Sequence, residues 1–151
     1  MIEIRGEYEI TVLIQNMFHS YCFVEKNHNI VTDGGLNLIM QILAKKTTKS
    51  LGKIWVGTNT TETSPSDDVS TFQNATSLQH SSIQTYDNVL VYTITTEGRN
   101  ITGTSEIGIW SNDETVLITR DVHDTYDVPD SATITLKYSL ILSNKVEEED
   151  D

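Results

Sequence analysis

The sequence predicts a mainly β fold: an antiparallel β-sandwich, jelly-roll-like, with one short amphipathic helix at about 34–46. Three observations carry this expectation. Gly103 to His123 reads as a hairpin that is apolar on both faces, which suits the inside of a two-layer β structure. Ala132 to Ser143 (A-T-I-T-L-K-Y-S-L-I-L-S) alternates apolar and polar side chains with the period of a half-buried strand. Leu36, Leu38, Ile39, Ile42 and Leu43 recur at helical spacing, the one good helix signal in the chain.

The hairpin is the element around which the rest is arranged. Asn112, Asp113 and Glu114 form its polar turn, since Asn and Asp bond back to their own backbone and tolerate positive φ. Folded about Asp113, the ribbon sets Trp110 against Val116, Gly108 against Ile118 and Glu106 against Arg120. Trp110, Val116 and Ile118 then share one face, and Ile107, Ile109 and Leu117 the other. Glu106 and Arg120 are expected as a partly buried structural ion pair that fixes the register.

The remaining elements follow in order. Glu9–Ile14 and Ser20–Lys26 read as strands, with Asn27-His28-Asn29 as a turn after the second. Asp33 is the expected helix cap, Gly34 and Gly35 make a tight entry, and Lys45 and Lys46 complement the carbonyl end of the helix. Lys53–Gly57 is a short strand. Thr58–Ser82 is a long polar excursion, expected to hold a short strand or helix near Val69–Leu78. Asn88–Thr96 alternates as a strand, Glu97–Asn100 turns, and Asp124–Ser131 is an acidic connection. The chain is expected to form a single domain over 1–143, followed by an acidic tail over 144–151.

Charge and composition narrow the function. With a net charge of −12, the chain is repelled by nucleic-acid phosphates and by anionic membranes, so neither is an expected partner. No signal-peptide layout opens the sequence and no apolar run reaches the length of a membrane span, which points to synthesis and assembly in the cytosol. The single Cys22 cannot form an internal disulfide and reads as a small buried hydrophobe. His19, His28, His80 and His123 lack metal-ligand spacing, and no nucleophile motif is present. Asp121, Asp124, Asp127 and Asp130 lack the glycine bend of a calcium loop, and Pro129 interrupts them. No catalytic residue, cofactor or metal is expected, and the chain reads as a non-enzyme.

Several stretches taken in order resemble small structural proteins of tailed-phage virions, of the tail-fibre, collar, baseplate or head-decoration type. They are N-I-V-T-D-G-G-L-N-L-I from Asn29, W-V-G-T-N-T-T from Trp55 and S-P-S-D-D from Ser64. S-E-I-G-I-W from Ser105, V-L-I-T-R from Val116 and A-T-I-T-L-K-Y-S-L from Ala132 follow. The loop after Gly57 and the acidic tail depart from the group. The resemblance implies a non-enzymatic virion component that binds copies of itself, as a trimer or another symmetric oligomer, and other virion proteins. Thr58, Thr60, Thr61, Pro65, Asp67 and Asp68, with Glu147, Glu148, Glu149, Asp150 and Asp151, are the candidate partner contacts. The segment before Glu9 is expected to be able to add a strand to a neighbour's sheet. Capsid decoration is the alternative reading. A carbohydrate-binding β-sandwich is the second, in which exposed Trp55 and Trp110 would stack on sugar.

Overall fold

The computed structural model describes residues 2–15, 20–21, 24–80 and 82–144. Among them are ten strands and one α-helix: β1 (Ile2–Gln15), β2 (Ser20–Tyr21), β3 (Val24–Val31), α1 (Asp33–Leu43), β4 (Leu51–Gly57) and β5 (Thr76–Leu78). After these come β6 (Ser82–Tyr86), β7 (Val89–Glu97), β8 (Glu106–Ser111), β9 (Thr119–Val122) and β10 (Thr133–Asn144). The strands pair antiparallel in the order β5-β4-β8-β9-β3-β1-β10-β7-β6. The long β6-β7-β10-β1-β3 layer meets the β5-β4-β8-β9 layer through a two-residue pairing, Ile30 with Arg120 and Val31 with Thr119.

The fold is the antiparallel β-sandwich with one helix that the alternation pattern predicts. Tyr8, Ile10 and Val12 of β1, Tyr92 and Ile94 of β7, and Ile134, Leu136 and Tyr138 of β10 point inward from one layer. Ile54, Val56, Ile107 and Ile109 meet them from the other, and Leu38 of α1 joins the same core. Burial holds the hydroxyls of Tyr92 and Tyr138 protonated, pushing both well above the usual tyrosine range.

Four local expectations need correction. The residues before Glu9 are no free arm: Ile2 to Tyr8 pair with Asn144 to Tyr138 in the middle of the larger layer. Asn27, His28 and Asn29 do not turn; they lie within β3, opposite Tyr8, Glu7 and Gly6, because the long β1 offers backbone partners along its length. The cap of α1 is Thr32, not Asp33: the Thr32 hydroxyl accepts from Gly35 N at 2.9 Å, while Asp33 is the first helical residue and is exposed. Lys45 and Lys46 lie beyond the helix, where they close a left-handed cap, with Lys45 at φ 55 and Lys46 N donating to Gln41 O at 2.9 Å.

The hairpin forms with a different register. Near the turn Trp110 pairs with Leu117, and Ile118 N donates to Ile109 O at 2.8 Å. Further down, Ile107 faces Asp121 and Glu106 faces Val122. Gly108 therefore stands opposite two residues, Thr119 and Arg120, which is a β-bulge. A one-residue slip moves side chains to the opposite face. Ile118 accordingly joins Ile107 and Ile109 in the main core, and Leu117 joins Trp110 and Phe72 on the other side.

Candidate functional site

Every residue of β8 is buried, because the ribbon is covered on both faces. The main core lies on one side, and the polar excursion, residues 58–75, lies on the other. Phe72 packs edge-on against Trp110, and Trp55 stacks on Trp110 with ring centres 4.1 Å apart.

Glu106 and Arg120 sit on this loop-covered face, both fully buried. Arg120 Nε donates to Glu106 Oε1 at 3.0 Å. The other carboxylate oxygen accepts from Asn59 N at 2.6 Å and Gln73 N at 3.0 Å, so it gathers both ends of the loop. Arg120 Nη1 donates to Thr61 O and to Asp67 Oδ2, each at 3.0 Å, and Nη2 reaches Asn59 O at 3.4 Å. Asn59 Nδ2 adds a bond to Thr71 O at 2.7 Å. The two buried charges are thus compensated by each other and by loop backbone, the condition under which such a pair is tolerated inside a protein. Gly57 leaves room for the carboxylate, since a Cβ there would lie 2.6 Å from Glu106 Oε2 and 2.7 Å from Gln73 O.

The candidate contact residues divide accordingly. Asp67 is spent inward on Arg120, and Thr61 gives its carbonyl to the same guanidinium. Pro65 accepts from Asp33 N at 2.8 Å, which ties the loop to the start of α1. Thr58 N donates to Gln73 O at 2.9 Å, closing the loop neck. Asp68 caps the short 3-10 turn Val69–Thr71. Thr60 is exposed. Glu147, Glu148, Glu149, Asp150 and Asp151, like Cys22, lie outside the described residues. Asn59, Gln73 and Gly57 belong to the site without having been singled out from sequence, because only the long-range fold brings them to Glu106.

The assembly is a staple. It has a buried acid and base, each bonded to the other and to the loop, and it holds the loop in one shape. No group of three or more His, Cys, Asp or Glu among the described residues could hold a metal. No helix among them is long and apolar enough to cross a membrane.

A second feature is open. The inner face of the larger layer continues past the end of the core, where Ile4, Leu90, Leu140 and Leu142 form a floor. Leu36, Ile39, Met40 and Leu43 of α1 form one wall, and Thr85, Asp87 and Asn88 border the other side of a groove of about 620 Å³. Met40 is 64% exposed and Leu43 72%. The groove has a trace in the sequence: α1 is apolar around more of its circumference than packing on one layer requires, since Leu36, Met40 and Leu43 form a stripe beside Leu38 and Ile42. Comparison with protein families, curated proteins and solved structures finds no match.

Proposed function

We propose that this protein is a non-enzymatic structural component of a tailed-phage virion, of the tail-fibre, baseplate or collar type, working through protein–protein contacts. It would be assembled in the host cytoplasm and carried in the particle. The observation that carries the reading is the division of labour between staple and groove. The segments that resemble virion proteins, those from Trp55, Ser64, Ser105 and Val116, meet at the buried Glu106–Arg120 pair, where they rigidify the domain. The large open feature is apolar and has no arrangement of acid, base and nucleophile along it. Contiguous exposed apolar surface of this kind is characteristic of sites where proteins meet.

Trp110 is buried and covered by Phe72 and Trp55, so it offers no face to a sugar ring, which weighs against the carbohydrate reading. Peptide mass spectrometry of purified particles tests the proposal. A few to some dozens of copies per particle fits a tail position, and hundreds fits the capsid-decoration alternative. Absence of the chain from particles overturns both.

A further inference from the structure

We infer that the groove beside α1 is the contact between two copies of this chain, joined about a two-fold axis through the free edge of β6. This names a partner for the groove and rests on the groove being a protein contact; it does not depend on the virion assignment.

Charge selects the partner. The chain carries 22 acidic residues and a net charge of −12, so two copies repel one another over most of their surface. The acids are not spread evenly. Gly34 to Thr61 contains none, and Val69 to Tyr86 contains no charged residue. These two stretches supply α1 on one side of the groove and β6 on the other. Among the described residues that line the groove, Asp87 is the one acid. Lys45 and Lys46, both exposed, follow directly after the α1 wall. A basic partner would be drawn to the acid-rich surface elsewhere. An acid-poor apolar groove beside two lysines suits a partner that is itself strongly acidic, and a second copy is such a partner.

The edge of the sheet supports a two-fold arrangement. Among the described residues, β6 (S-I-Q-T-Y) is the last strand of the larger layer and pairs with β7 on one side only. It has no proline and no charge, the usual devices that keep a strand edge from pairing. Ile83, 43% exposed, stands across from Tyr92 and so lies on the groove's side of the sheet, while Tyr86, 58% exposed, stands across from Val89 on the opposite face. Two antiparallel copies in full overlap place Gln84 opposite Gln84 of the partner subunit. That pairing continues the sheet and sets Ile83 of each copy beside Thr85 on the rim of the other's groove, as an isologous contact requires.

Sedimentation of the full chain, at concentrations up to about 0.1 mM, tests this, since an interface with a Kd near 10 μM is then mostly dimer. The expected result is a monomer–dimer equilibrium. Met40→Asp should weaken it at least about thirtyfold, as loss of a central apolar anchor does. Ile83→Lys, at an exposed site on β6, should act in the same direction, with circular dichroism showing both variants folded. In a Cys22→Ser background, Gln84→Cys should form a disulfide-linked dimer on mild oxidation. A wild-type monomer, a trimer, or a dimer indifferent to Met40→Asp and Ile83→Lys overturns the inference. So does a groove found occupied by the chain's own acidic tail, seen as dimerisation that appears only when residues 145–151 are removed. None of these results bears on whether the chain is found in particles.

Discussion

Arg120 Nε donates to Glu106 Oε1 at 3.0 Å, although the residue directly across the ribbon from Glu106 is Val122. The pair meets on a diagonal, which the bulge at Gly108 makes possible. Both side chains remain on the loop-covered face, so the contact survives a register that differs from the simple fold-over of the hairpin.

Replacing one partner should therefore be severe. Glu106→Ala leaves the Arg120 guanidinium buried with reduced compensation and strips Asn59 N and Gln73 N of their acceptor. The expected loss is about 3–5 kcal/mol, the range for breaking a buried pair. Urea denaturation measures it. A Glu106→Met, Arg120→Met double variant should recover part of the loss, because no isolated charge is left behind.

Gly108 is required by the same bulge. A Cβ at this position would lie 2.0 Å from Thr119 O and 3.2 Å from the Phe72 ring. One of those contacts is backbone, so the strands must part. Gly108→Ala should cost about 3 kcal/mol, at the upper end for overpacking. It should also increase iodide quenching of tryptophan fluorescence as the Trp55–Trp110 stack loosens.

The cap of α1 gives a paired test. Thr32 is fully buried; its hydroxyl accepts from Gly35 N and donates to Leu117 O. Asp33 is exposed and offers only its charge to the first helical turn. Thr32→Ala should cost about 1–2 kcal/mol, as loss of a strong cap does. Asp33→Ala should cost only a few tenths of a kcal/mol, the weaker end of a charge–dipole effect. Thermal denaturation of the two variants side by side separates them, and the reverse order would return the cap to Asp33.

These residues also mark what could be read from the chain itself. The sandwich was legible because β10 and β7 alternate cleanly, and the ribbon was legible because both its faces are apolar. Register was not, since the extra residue opposite Gly108 is fixed by tertiary bonds: Ile109 N donates to the Thr119 hydroxyl at 3.0 Å, and Ile118 O is taken by Thr32 N. β6 escaped notice because S-I-Q-T-Y, an edge strand, buries too little to need an apolar pattern. Glu106 and Arg120 stood out as an isolated acid and base in apolar runs. Asn59 and Gln73 did not, because only the fold joins them to the pair, and Thr61 and Asp67 stood out as outward partner contacts, not as partners of Arg120.

Asp113 should make the turn sensitive to acid. Its carboxylate accepts from the Ser111 hydroxyl at 2.7 Å and from the Thr115 hydroxyl at 2.7 Å, with Lys49 Nζ at 3.4 Å. These bonds, that of Ser111 foremost, lower its pKa from 3.8 to about 2. A carboxyl held below its unfolded value stabilises the turn above that value and loses the contribution as pH falls from 3.8 toward 2. Carboxyl-carbon NMR should report a midpoint near 2. Ser111→Ala should move it upward, and a wild-type midpoint at the ordinary value would show the hydroxyl bonds to be absent in solution.

The loop provides a test that separates order from stability. Asp67 Oδ2 accepts from Arg120 Nη1 at 3.0 Å and from Ser64 N at 2.9 Å, so one oxygen joins the loop to the buried base. Asp67→Ala leaves Arg120 its Glu106 partner and its bond to Thr61 O, so the charge stays paired while the loop loses its outer anchor. The global cost should be about 1–3 kcal/mol, that of removing one acceptor from a largely buried bond. Local order should change more. Amide exchange at Thr61 and Thr71, whose N–H groups bond within the loop to acceptors that the substitution leaves in place, should quicken at least about tenfold through local opening, while Tyr92 and Tyr138 in the core strands keep exchanging only by global unfolding. Equal acceleration in loop and core would mean that the loop and the sandwich open as one unit, and that the staple's work is global stability alone.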